Sequence, residues 1–226
     1  MGMLDAAADR IGRGETVEFR PAGDSMVPLI HSGQRVRVAP VAPALVGPGS
    51  GRLELLPLGV EHAAEMALVL GDPVLHEFIG GAPLPAGALR ERYARLAAGS
   101  ADPAVVWCNW VLRLRGDGPL VGTVQATVTP DRDTAELAWV IGTRWQGRGF
   151  ATEAARTVTA WLASLPIGLL VAHVHPDHHA SAAVAAACGF APTPHREDGE
   201  IRWEHRPPAP PVTGVRRPGG HRRVQA

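Results

Sequence analysis

Residues 105–115 alternate, with Trp110, Leu112 and Leu114 on one side and Val111, Arg113 and Arg115 on the other. Residues 120–129 do the same, setting Val124, Ala126 and Val128 against Thr123, Gln125, Thr127 and Thr129. A period of two sends successive side chains to opposite faces, so both segments predict strands. Arg115-Gly116-Asp117-Gly118 between them reads as a hairpin turn. Residues 52–58 predict an earlier strand and 134–141 a later one. Elsewhere the spacing becomes helical. Residues 60–70, with Met66 and Leu70 four apart, suit a helix, and Leu89, Tyr93 and Leu96 mark a second. Ala151, Ala154, Ala155, Val158, Trp161 and Leu162 form one apolar face of a third, which Pro166 ends. Residues 167–174 are nearly all apolar, as a strand covered on both faces should be. An Ala-rich helix is expected over 179–188, then a hairpin turned by Asp198-Gly199 and ending near Glu204. The order of elements predicts an α/β chain.

Composition divides the chain of 226 residues. Residues 1–42 read as a unit apart from the rest, 43–51 as a Pro/Gly-rich linker, and 52–206 as the domain with periodic structure. Residues 207–226 hold five prolines and few large apolar side chains, so this tail is expected to be disordered. An apolar fraction of 46% supports a core, and the zero net charge gives no cationic surface for nucleic acid. All 22 basic residues are Arg, which removes every mechanism that needs a Lys. No apolar run approaches the roughly 20 residues that cross a bilayer, and no signal peptide opens the chain. A cytoplasmic protein without a membrane contact, monomeric or homodimeric, is expected.

The most informative segment is Trp145-Gln146-Gly147-Arg148-Gly149-Phe150-Ala151-Thr152-Glu153-Ala154. It joins a predicted strand end to a predicted helix start. Glycines there let backbone N–H groups point inward, and the helix N-terminus adds partial positive charge, which suits a pyrophosphate. Neither G-x-G-x-x-G nor G-x-x-x-x-G-K-[ST] is present. Gln146-x-x-Gly149-x-Ala151 resembles the coenzyme A pyrophosphate loop of the GNAT acyltransferase superfamily. Trp139-Val140-Ile141-Gly142 before it and Ala151-Thr152-Glu153-Ala154 after it look like the subgroup of ribosomal-protein N-terminal acetyltransferases. Cys188-Gly189-Phe190 resembles the Gly-Phe that closes that family's last helix. The resemblance implies a central, mostly antiparallel sheet with a splayed parallel pair, flanked by helices. It also implies direct transfer of an acetyl group from acetyl-CoA to a primary amine, on a small molecule or a peptide, in a ternary complex. A CoA-binding or ligand-sensing module without catalysis is the alternative.

Further expectations come from that resemblance. Amides of Gly147, Arg148, Gly149, Phe150, Ala151 and Thr152 hold the pyrophosphate, with Gln146 in the loop and Arg148 adding charge. Trp139, Val140 and Ile141 line the thioester, and the amide of Val140 or Ile141 polarises its carbonyl. Alkyl amines are mostly protonated at neutral pH, so a carboxylate or a water it positions must act as base. Glu136 is the first candidate; Glu153 reads as structural, an acid favoured in a first helical turn. Many members of the family protonate the departing thiolate with a Tyr after the fifth strand. The sole Tyr here, Tyr93, lies elsewhere. The subgroup has Asn-x-x-Ser, and the matching positions are His178 and Ser181: Ser181 fits and is a candidate proton carrier, while His178 departs from the Asn and is expected to contact the pantetheine arm or to protonate the sulfur.

Residues 17–41 resemble the nucleophile segment of LexA/signal-peptidase-like serine peptidases, with Ser25 as nucleophile. The Lys that deprotonates it in that family is missing, and His31 is too near in sequence to replace it, so this stretch reads as a fragment. His173, His175, Asp177, His178 and His179 invite a metal reading, but His178 and His179 diverge at a helix start and none is expected. Cys108 and Cys188 are read as buried thiols.

Overall fold

The computed structural model describes residues 17–19, 36–38, 44–46, 51–129 and 133–208. Strands β1 (Val17–Phe19) and β2 (Val36–Val38) form a small antiparallel pair of their own. After them come β3 (Leu45–Val46), β4 (Leu53–Pro57), helices α1 (Ala63–Val69), α2 (His76–Ile79) and α3 (Ala86–Ala98), and strands β5 (Val106–Leu114), β6 (Leu120–Thr129) and β7 (Thr134–Ile141). Helix α4 (Phe150–Ala163), β8 (Leu169–Val174), α5 (His179–Ala187), β9 (Ala191–Glu197) and β10 (Glu200–His205) complete the order. The main sheet runs β3-β4-β5-β6-β7-β8-β10-β9. Its neighbours are antiparallel except β7 and β8, which are parallel. This is the mixed sheet with one parallel pair that the family resemblance implies.

Departures are local. The helix expected over 60–70 opens with a 3-10 turn, Val60–His62. Helix α2 has only four residues, too few to leave a periodic signal. Within 43–51, read as a linker, Leu45–Val46 adds a short edge strand to β4. The strand expected from 167 begins at Leu169, because Gly168 is held by Asp133. Ser25, His31 and the chain beyond 208 lie outside the described residues. Among the described residues no helix is long and apolar enough to cross a membrane.

The two faces of the sheet bury different sets of side chains. One packs Leu53, Leu55, Trp110, Leu112 and Leu137 against Ala154, Val158 and Leu162 of α4. The other packs Val111 and Leu120 against Met66 of α1 and Leu89 and Tyr93 of α3. Strand β6 serves both by breaking its own alternation. The register shifts where Leu112 and Arg113 face Gly122 and Leu120, so Leu120 enters one core while Val121 and Val124 enter the other. Trp110 meets Trp161 of α4 edge-on, ring centroids 5.4 Å apart. Helix α5 closes with Gly189 at φ 85°, and Phe190 folds under it, its N–H donating to the Ala185 carbonyl. Leu162→Ala would open a cavity at a position with no exposure. A loss of about 2–5 kcal/mol in a denaturant titration is expected.

Candidate active site

The site begins where the parallel ladder ends. Strands β7 and β8 pair at Thr134↔Leu169, Ala135↔Leu170 and Glu136↔Val171, and no further. Asp133 pins the start of the pair: its Oδ1 accepts from Gly168 N at 2.7 Å, and its carbonyl accepts from Leu169 N at 3.1 Å. Beyond Glu136 the strands diverge, and a cavity of about 500 Å³ opens between them. Glu136, Val140, His173, Val174, His178, Ser181 and Glu200 are among the residues that line it.

At the far end of β7 the backbone orientation can be read from its partners. Gly142 N donates to Val121 O at 2.9 Å, towards β6. A Cβ on Gly122 would collide with the Val140 carbonyl, so that carbonyl also faces β6. Polar groups alternate along a strand. The N–H and C=O of Ile141 therefore turn to the splayed side, where the Ile141 carbonyl accepts from Gln146 Nε2 at 3.0 Å. Of the two amides expected to face a thioester, Ile141 has the orientation for it.

The glycine-rich turn has the backbone its sequence suggests. Gly147 and Gly149 adopt φ of 72° and 79°, a region that side chains with a Cβ rarely occupy. Gly149 is the N-cap of α4 and has no side chain to cap it, and the first helical bond is Glu153 N to Gly149 O at 3.0 Å. The first-turn amides thus have no intrahelical acceptor and are available to an anion. Glu153 does not fold back on them. Its Oε1 accepts from Arg52 N at 2.6 Å and Leu53 N at 2.9 Å, and its Oε2 pairs with Arg52 Nε at 3.1 Å. That carboxylate fastens the helix start to the start of β4. The Arg52 guanidinium lies over the Phe150 ring, 4.6 Å from its centroid. Arg144 and Arg148 both stack on Trp145, and Arg148 also donates to the Arg144 carbonyl at 3.2 Å. Arg148 is thereby held beside the turn.

Glu136 faces the cavity with its side chain about half exposed, and His173 Nδ1 donates to its Oε1 at 3.1 Å. His173 Nε2 lies 3.4 Å from Glu197 Oε2, so the imidazole stands between two carboxylates. His178 is the N-cap of α5: its Nδ1 accepts from Ser181 N at 3.4 Å, which leaves the proton on Nε2. Its ring stacks on Phe78 of α2 with centroids 4.3 Å apart. Burial, with His175 adding to it, lowers its pKa from the usual 6.5, so it is neutral at physiological pH. Asp72, bonded by Thr143 and by Val74 N, ties the segment leading to α2 to the end of β7; those bonds hold its carboxyl below the usual carboxylate range.

Most residues singled out from sequence come together here. Glu136, Trp139, Val140, His178 and Ser181 line the cavity, and the 147–152 turn lies beyond Ile141. Gln146 braces Ile141 instead of facing outward. His173 and His175 take Glu136 and Phe78 as neighbours, and among the described residues no three His, Cys, Asp or Glu side chains form a metal cluster. Burial pushes Cys108 up to about 12 and Cys188 up to about 11, so both are inert thiols. Sequence reasoning passed over Asn109, Gln125 and Glu200, which also line the cavity. Polar residues within strands were the available signal for the first two.

An uncapped glycine turn and helix α4 thus connect the two strands of the splayed parallel pair. The chain belongs to the GNAT acetyltransferase family: the family profile described as Acetyltransferase (GNAT) domain matches residues 52–191. Solved structures agree in fold. An acetyltransferase from Agrobacterium tumefaciens shares 24% identity and superposes with a TM-score of 0.57, covering 72% of this chain and 94% of that one. RimL, a ribosomal L7/L12 α-N-protein acetyltransferase solved with coenzyme A, shares 16% identity at a TM-score of 0.59, covering 70% and 96%. MccE, the microcin C7 self-immunity acetyltransferase solved with acetyl-CoA and AMP, shares 15% at 0.60, covering 74% and 98%. No curated protein matches the chain in sequence. The peptidase resemblance of residues 17–41 receives no support from these comparisons, and the family match starts after that segment.

Two outcomes test the site's construction. Glu153→Ala strands the amides of Arg52 and Leu53 and should cost about 2 kcal/mol in chemical denaturation. Glu153→Gln, which keeps an acceptor oxygen, should cost less. His178 has a folded pKa below its unfolded one, so the unfolded chain takes up the proton first. Its contribution to stability is present above about pH 6.5 and is lost as pH falls through the window below. His178→Asn keeps a capping side chain and should flatten that part of the stability–pH curve relative to the parent.

Proposed function

We propose that this protein is an N-acetyltransferase that moves the acetyl group of acetyl-CoA to a primary amine within a ternary complex. The observation that carries the reading is one cavity lined by Trp139 and Val140 towards the end of β7, by His178 and Ser181 of the loop and helix after β8, and by the carboxylates of Glu136 and Glu200. The end at Val140 suits a thioester with the amine beside it, and the carboxylates farther along the cavity suit the protons the amine must lose. Solved relatives support the choice of cofactor, since RimL holds coenzyme A and MccE acetyl-CoA.

Acetyl-CoA supplies an activated acyl carbon. First-turn amides from Gly149 to Thr152, with their neighbours Gly147 and Arg148, hold the pyrophosphate. The Ile141 amide, freed by the splay, polarises the thioester carbonyl; one such donor is worth about 3 kcal/mol in comparable sites. Trp139 and Val140 shape the passage. Glu136 takes the first proton from the ammonium. Four residues at a rise of about 3.3 Å separate Glu136 from Val140, roughly 13 Å, so this proton travels through water. His173 orients the Glu136 carboxylate by donating to it. As the C–N bond forms and the C–S bond breaks, the nitrogen's second surplus proton passes to sulfur by way of Ser181. His178 Nε2–H supports the pantetheine arm. The cytoplasm, where acetyl-CoA is made, is the compartment this reading assigns.

Glu136→Gln should lower kcat about 10²-fold or more while calorimetric affinity for acetyl-CoA stays the same. Unchanged turnover with a panel of amines would remove Glu136 from the base role. No heat of association with acetyl-CoA would remove the reading itself.

A further inference from the structure

Strands β5, β6 and β7 set three rows of side chains on the face of the sheet turned towards α1 and α3. Val111, Thr123 and Val140 are in register; so are Asn109, Gln125 and Ala138, and then Trp107, Thr127 and Glu136. The first row is level with the thioester end of the cavity, and the third carries the proposed base. In the middle row Ala138 contributes only a methyl group, and beside it stand two carboxamides. Asn is depleted in strands, and here it sits well inside one. Both Asn109 and Gln125 line the cavity; Gln125 is exposed and Asn109 half-buried, so a ligand can reach them. Neither side-chain amide has a hydrogen-bond partner among the described residues. Gln125 and Val140 are diagonal neighbours across the β6–β7 ladder. Such pairs have Cβ atoms about 7–8 Å apart, within reach of a long side chain.

We propose, building on the acetyl-transfer reading, that Gln125 and Asn109 decide which amine is accepted by binding a hydroxyl group near its nitrogen. An amine attacking a thioester beside Val140 extends its body over Ala138, where the methyl group leaves room. A carboxamide presents an N–H donor and a carbonyl acceptor together, and a hydroxyl answers both. An alkyl group answers neither, and it strips water from the amides without replacing it. A carboxylate only accepts, and it would lie in the row next to Glu136, with Glu200 on the same cavity. The acceptor class is therefore a small, neutral-bodied amino alcohol. Leu58, Leu89 and Leu96 line the same cavity and take its carbon skeleton.

Matched amines test it. Isopropanolamine differs from isobutylamine, and propanolamine from butylamine, only by a hydroxyl in place of a methyl group. The parent enzyme should use at least one of these amino alcohols about tenfold better, in kcat/KM, than its matched alkylamine. The pair that shows this fixes how far the hydroxyl lies from the nitrogen. A hydroxyl also makes a nearby amine less basic, so the deciding quantity is the change of that ratio in a variant, where basicity cancels. Gln125→Met and Asn109→Leu keep the size of the side chain and remove its amide. Each should cut the ratio about three- to tenfold. Calorimetry on the parent enzyme with coenzyme A bound reads the same preference without turnover and needs no variant. A ratio unchanged in both variants, equal binding within both pairs, or better use of β-alanine than of propanolamine would each overturn the proposal. So would failure of every amine in an enzyme that binds acetyl-CoA. Failure to bind acetyl-CoA would instead strike the acetyl-transfer reading.

Discussion

The ladder between β7 and β8 lasts three residue pairs and stops, and the site depends on that interruption. Paired strands leave no room for a ligand. Separated strands leave polar backbone groups that need partners, and a buried one without a partner is costly. This protein controls both ends of the break. Asp133 fixes the start of the pair through two amides, Gly168 and Leu169. At the other end β7 is held against β6, where Gly122 has no Cβ to press on the Val140 carbonyl. Gln146 satisfies the Ile141 carbonyl from the open side. The Ile141 N–H is then directed into the gap as a fixed donor, and no reorganisation is needed to present it.

The second constraint is Glu153. A carboxylate in a first helical turn is favoured by the dipole, and that alone would explain its presence. Here it accepts from Arg52 N and Leu53 N, about a hundred residues earlier in the chain. The start of α4 therefore cannot drift from the sheet. The amides of its first turn also stay free, since Gly149 has no side chain to cap them and Glu153 is engaged elsewhere. A helix capped in the usual way by Ser or Asp would give up the donors on which anion binding relies.

Polar groups around the cavity are arranged by neighbouring elements, not by their own strands. Glu136 is set by His173 from β8, and Glu197 of β9 lies 3.4 Å from the far nitrogen of that ring. His178 is neutral because burial, with His175 adding to it, lowers its pKa; Phe78 of α2 stacks on the ring, whose Nδ1 accepts from Ser181 N. It is a hydrogen-bond donor in this state, not a source of protons.

Much of this could be read from the chain. The bounds of β6 follow from the alternation of residues 120–129, β7 is the strand expected over 134–141, and the apolar face of α4 follows from its helical spacing. The glycine turn announced its own backbone, because Gly147 and Gly149 occupy a region of φ that few other residues tolerate. Such features are local: strand period, helix period and glycine conformation are set within a few residues of one another. What sequence could not give was pairing at a distance. Helix α2 was too short to show a period, yet it covers His178. Whether Val140 or Ile141 offers its amide was decided by which strand each faces. The bond from Glu153 to β4, the burial of Tyr93 and the gathering of Asn109, Gln125 and Glu200 around one cavity depend on how the sheet and helices meet. Periodicity says which side of an element is apolar, but not which neighbour that side will find, and only the folded chain settles that.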